Sequence, residues 1–167
     1  MKSIFLLFFP LFALAQSPEN NTSKIGKDPI FFIDSISVST NEFRKLDSKI
    51  VGSVTVYKDK EATEIAGEKG KDGVIYIETI VFSKKRYWNF FISKSKEYKK
   101  YVPSSQEDPN VQYILNEELL IKDFEGKLAS INDSTFKSIK IISKKDLATK
   151  YKILDKEIGV IIESIAN

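Results

Sequence analysis

The chain has 167 residues, with 26 lysines and arginines against 23 aspartates and glutamates and neither histidine nor cysteine. The missing residue types remove the commonest general bases, metal ligands and thiol nucleophiles. They also leave any core to stand without disulfides, which a chain of this length can do.

The first fifteen residues have the organisation of an export signal. Lys2 supplies the positive start, Ile4 to Leu14 the apolar stretch, and Ala13-Leu14-Ala15 the small-x-small cleavage pattern before Gln16. The apolar run is shorter than the ~20 residues of a transmembrane helix and is interrupted by Pro10. No cysteine follows it to carry a lipid, and no later segment is apolar and long enough to span a bilayer. Removal of Lys2 with the signal takes the formal charge from +3 to +2. The expected product is exported, periplasmic or associated with the outer membrane.

Residues 16–28 (QSPENNTSKIGKD) are polar and aperiodic and predict a flexible leader, with order beginning at Pro29. Ile30 to Val38 is apolar apart from Asp34-Ser35, the pattern of a strand that bends or pairs back on itself. Thr40 stands as an N-cap before a short helix presenting Phe43 and Leu46. Ser53 to Tyr57 alternates with the period of a half-buried strand. Lys60 to Ala66 can form a short helix with Ala62, Ile65 and Ala66 inward, and Gly67, Gly70 and Gly73 punctuate the turn into the strand Val74–Ile80.

Residues 83–109 predict a helical connector, with Tyr87, Phe91, Tyr98 and Tyr101 on one face and Pro103 closing it. From Ser83 to Tyr101 seven cations (Lys84, Lys85, Arg86, Lys94, Lys96, Lys99, Lys100) stand against Glu97 alone. Such a band could stack on bases, sit in a membrane interface, or pack between lobes with its lysines in water. Export argues against nucleic acid, and packing between lobes is the favoured reading. Lys84, Lys85, Arg86 and Trp88 are the candidate contacts for a partner or an anionic surface.

A second unit then repeats the first. Val111–Leu115 and Leu119–Ile121 flank an Asn116-Glu117-Glu118 turn, and a helix is expected over 123–131, with Phe124 matching Phe43. Ile139 and Ile141 match Val54 and Val56, Ala148-Thr149 matches Ala62-Thr63, and Gly159 matches Gly73. This alignment carries one extra residue after Ile141 and one fewer near the end, with no equivalents of Gly67 or Gly70. The expected class is therefore α+β: two tandem β-α-β-α-β lobes, 29–82 and 110–167, joined by the connector.

Two motifs invite catalytic or phosphate-binding readings. The glycine run Gly67–Gly73 lacks a Ser or Thr after Gly70-Lys71 and leads into a strand instead of a helix, the reverse of a phosphate-binding loop; it reads as a structural turn. Glu117-Glu118 and Asp123 with Glu125 are the nearest approach to paired carboxylates, but the first pair falls in a solvated hairpin turn where both acids stay ionised. No catalytic residue, metal ligand or cofactor is assigned.

The first copy resembles the plug domain of TonB-dependent outer-membrane receptors. The likeness is carried by Val56 to Asp59, Ala62-Thr63, Gly67 with Gly70, the strand Gly73 to Thr79, and Phe32-Ile33-Asp34; it recurs more weakly over 111–165. Ser35 stands where that pattern has glycine, which argues against a standard hairpin. The chain has no room for a barrel and no recognisable energy-coupling segment. The resemblance implies a detached plug-like module that acts by protein contact at the cell envelope, with another envelope protein as partner. The alternative is a small or anionic envelope ligand held between the lobes.

Overall fold

The computed structural model describes residues 25–165. The expected export signal and residues 16–24 of the leader lie outside them. Within the described residues the chain forms two four-stranded mixed sheets with helices, an α+β architecture of two lobes.

In the first lobe β1 (Ile30–Ile33) turns into β2 (Ile36–Val38), followed by α1 (Thr40–Arg44), β3 (Val51–Tyr57), α2 (Asp59–Ala66) and β4 (Val74–Thr79). The sheet order is β2-β1-β4-β3, with β1 parallel to β4 and the other pairs antiparallel. A helical connector of α3 (Ile80–Lys94) and α4 (Lys96–Tyr101) leads to β5 (Val111–Leu115), β6 (Glu118–Leu119), α5 (Glu125–Ala129), β7 (Phe136–Ser143), α6 (Lys144–Asp146) and β8 (Ile158–Ser164). The second sheet runs β6-β5-β8-β7 with the same directions. Each lobe is thus β-β-α-β-α-β, the hairpin adding a strand to the expected order.

The repeat extends to individual hydrogen bonds. Asp34-Ser35 and Asn116-Glu117 each put two consecutive residues at positive φ, the requirement of a two-residue type I′ hairpin. Ser35 adopts φ 72° without being glycine, so the hairpin doubted on that ground forms. Asp34 Oδ1 accepts from the Thr79 amide at 2.7 Å, and Asn116 Oδ1 accepts from the Ser164 amide at 2.9 Å. Both lobes place an aromatic pair beside this hairpin: Phe31 stacks on Phe43 at 4.3 Å, and Tyr113 meets Phe124 at 5.7 Å.

The ladders correct the alignment of the later strands. Both break register one residue in, between Val51 and Ser53 and between Phe136 and Ser138, and from there Val54 matches Ile139 and Thr79 matches Ser164 without a gap. Ala62 therefore corresponds to Leu147, Val74 to Gly159 and Gly67 to Lys152, one residue away from the expected Ala-Thr and Gly73 matches. Gly67 and Lys152 both have φ 61° and both terminate the preceding helical turn. The positive-φ corner is kept and the glycine is not.

Local caps account for the helix ends. Ser39, not Thr40, caps α1, in a box with Glu42, and Ser95 caps α4 after the chain leaves α3. α3 starts at Ile80, ahead of the expected boundary at Ser83. Thr79 both caps it, accepting from the Phe82 amide at 3.2 Å, and donates to Asp34 Oδ2 at 2.8 Å, so hairpin, strand and connector meet at one side chain. Order also begins before Pro29, since Gly26 N–H donates to the Asp72 carbonyl and Asp28 N–H to its carboxylate.

The main core lies between the connector and the second sheet. Tyr87, Phe91 and Tyr98 pack on Tyr113, Leu115, Val160 and Ile162, with Leu128 and Ile131 closing one side. Tyr101, expected on the same stripe, is half exposed. The other face of this sheet buries Ile114, Ile142 and Leu147.

Candidate functional site

The lobes meet where α5 crosses β3. A Cβ on Gly126 would stand 2.5 Å from the Gly52 carbonyl oxygen, and one on Gly52 would stand 2.8 Å from Ser83 Oγ. Backbone therefore rests on backbone at this seam. Beside it opens a cleft of about 670 Å³. Its floor is one face of the first sheet, Ser53, Thr55 and Tyr57 of β3 with Tyr76 and Glu78 of β4. One wall is Phe82 and Arg86 of α3, the other Gly126 and Ser130 at α5, and Ser35 and Ile65 stand at the rim.

Alternation puts these side chains on one face. Ser53 pairs with Glu78, Thr55 with Tyr76 and Tyr57 with Val74, and opposed residues of an antiparallel pair share a side. Tyr76 is held between Phe32, stacked at 5.9 Å, and Tyr57, edge-on at 6.5 Å, and its hydroxyl hydrogen-bonds to Ser35. Glu78 is buried at the back. It pairs with Arg86 and accepts from Ser83 Oγ at 3.2 Å, so the cation lining the cleft is neutralised within it.

The matching positions of the second lobe carry none of this aromatic chemistry. Ile142 stands for Tyr57, Ile161 for Tyr76, Lys140 for Thr55 and Ile114 for Phe32. The same face is built from aliphatic residues there, so the tyrosines are a feature of the first lobe alone.

A second cluster surrounds Asp108. Its carboxylate pairs with Lys84, accepts from Tyr87 Oη at 2.9 Å and from Tyr113 Oη at 3.4 Å, while Tyr98 and Tyr113 share a hydrogen bond of 2.9 Å. Burial, reinforced by the Asp108 charge, pushes all three phenols above their ordinary range. They stay neutral and act as hydrogen-bond donors and acceptors. The cluster ties α3 and α4 to β5, which is its evident work.

The sequence-selected contacts are dispersed by this packing. Lys84 is held by Asp108, Arg86 by Glu78, and the Trp88 indole donates to the Val102 carbonyl at 2.9 Å. Lys85 is exposed. Glu118 pairs with Lys127 at 2.6 Å, Glu117 sits in the hairpin turn, and Asp123 and Glu125 do not join them in a pocket. Among the described residues no cluster of acidic side chains is arranged to hold a metal. Gly67, Gly70 and Gly73 form a tight helical turn, with the Gly73 amide donating to the Gly70 carbonyl at 2.8 Å.

Sequence reasoning did not single out Tyr57, Tyr76, Glu78 or Asp108. For the tyrosines a signal existed, namely their mismatch with the second copy. Searches against protein-family models, curated proteins and solved structures give no match. Among the described residues no helix is long and apolar enough to cross a membrane.

Proposed function

We propose that the protein is an exported, non-enzymatic, plug-like module that acts by protein contact at the cell envelope. The supporting observation is unequal cover on equivalent sheet faces. In the first lobe two apolar rows cross all four strands, Ile36-Ile33-Ile77-Val54 and Val38-Phe31-Ile75-Val56. α1 covers the centre through Phe43, but Val54 is 57% and Val56 42% exposed on the edge strand. In the second lobe Ile139 and Ile141 hold those positions beneath the connector helices.

The second lobe also supports a choice of occupant. Its face is covered by an amphipathic segment bearing Tyr87, Phe91 and Tyr98, so the first lobe's face fits a partner helix with aromatic residues on one side. Photo-crosslinkers at Val54 and Val56 in cells, with Ile121 as an exposed control, should give a product whose partner peptide maps to such a helix. With the crosslinker at Val54, Val56→Lys should abolish the product while leaving the fold intact, and Val54→Lys should do the same for the crosslinker at Val56. Crosslinks only between copies of this chain, or products unchanged by these lysines, would sink the proposal.

A second reading, a small-ligand site in the interlobe cleft, is favoured by Tyr57, Tyr76 and Thr55, which the second lobe does not repeat.

A further inference from the structure

We infer that the interlobe cleft binds a neutral saccharide; this rests on reading the cleft as a ligand site. The volume of about 670 Å³ lies within the roughly 300–1,000 Å³ of small-molecule sites. Its lining chooses among ligand classes. An anion would need unspent positive charge, but Arg86 is ion-paired to Glu78 inside the cleft. An apolar ligand would strand the hydroxyls of Ser53 and Thr55, which face the same space.

A pyranose satisfies both constraints. It carries no charge, presents hydroxyls that both donate and accept, and has an apolar C–H face that packs against an aromatic ring. Tyr57 and Tyr76 supply ring surface in a fixed edge-on arrangement, and Phe32 behind Tyr76 holds it there. The Arg86–Glu78 pair offers planar donors beside planar acceptors, the geometry that engages two neighbouring hydroxyls. The ring surface is specific to one lobe, because the equivalent face in the other is filled by Ile142 and Ile161 against Ile114 and Leu147.

The test is saturation-transfer NMR on the full chain. The probes are glucose, N-acetylglucosamine, maltose and diacetylchitobiose, with glucuronate and inorganic phosphate as charged comparators. Neutral sugars should receive saturation from wild type. Tyr57→Ile and Tyr76→Ile install the second lobe's own residues; each, with retention of the fold checked by its thermal melt, should weaken binding at least about tenfold, the loss of roughly one good contact. Glu78→Gln leaves Arg86 unneutralised and should bring glucuronate into the bound set.

Phosphate or glucuronate binding to wild type without any neutral sugar would overturn the saccharide assignment and leave the ligand site standing. Sugar binding unaffected by both tyrosine changes would place the sugar elsewhere and overturn it too. If neither these probes nor a fragment library shifts resonances of cleft residues, the ligand-site reading falls with it.

Discussion

Gly126 in α5 of the second lobe lies so close to Gly52 in β3 of the first that a Cβ on Gly126 would come within 2.5 Å of the Gly52 oxygen and 2.7 Å of Ser53 Cβ. This contact sets the spacing of the lobes and therefore the width of the cleft. Neither glycine has a turn to make there; both are small because backbones touch.

Gly126→Ala should destabilise the protein despite improving helix propensity. The propensity gain is about 1 kcal/mol, whereas overpacking against a backbone that cannot swing aside costs about 1–3 kcal/mol. Urea titration should show a lower midpoint with little change in slope, and resonances of Ser53, Phe82 and Arg86 should shift with the seam. An unchanged midpoint would mean that the lobes can separate freely.

Leu147 and Gly159 make a size exchange with Ala62 and Val74. A Cβ on Gly159 would stand 2.8 Å from Leu147 Cδ2 and 2.6 Å from Ile142 Cγ1, and all four residues of the two pairs are buried. Leu147→Ala alone should cost about 2–5 kcal/mol as a cavity, and Gly159→Val alone about 1–3 kcal/mol as an overpacked site. Together they transplant the first lobe's pair, and the double variant should be more stable than the sum predicts. Additive losses in a double-mutant cycle would refute the structural equivalence.

The buried phenols make stability sensitive to alkali. Tyr87, Tyr98 and Tyr113 are raised from an ordinary value of 10.0 by burial first and by neighbouring charge or phenols after it. Their contribution is fully present below pH 10 and falls as pH rises beyond it, because the unfolded chain releases protons that the folded chain keeps. Each phenol adds a slope of up to about 1.4 kcal/mol per pH unit. Thermal melts from pH 8 to 11.5 should show this decline, and Tyr98→Phe should flatten it; a stability flat across that range would contradict the burial of the cluster.

Much of the architecture was legible in the chain. Strands announce themselves by alternation, since a period of two assigns each side chain a face without reference to anything distant, and Val54 with Val56 or Ile139 with Ile141 could be placed that way. The Tyr87, Phe91 and Tyr98 stripe likewise marked a buried helical face. The alignment of the copies went astray by one residue because Ala148-Thr149 and Gly159 look like Ala62-Thr63 and Gly73 as letters. The ladder matches positions by pairing and volume instead, putting Leu147 on Ala62 and Lys152 on Gly67.

By itself, then, the amino-acid sequence determined a repeated α+β unit, its strand faces and an aromatic helical link, all consequences of local periodicity. Which lobe that link would cover was a tertiary decision. α3 and α4 fold onto the second sheet and are locked there by Asp108, which leaves Val54 and Val56 open on the first. The cleft followed from the same choice, because α3 carries Arg86 to Glu78 and α5 seats Gly126 on Gly52. Apart from the short step from Glu78 to Arg86, these contacts join residues far apart in the chain through shape and charge, and no local pattern encodes them.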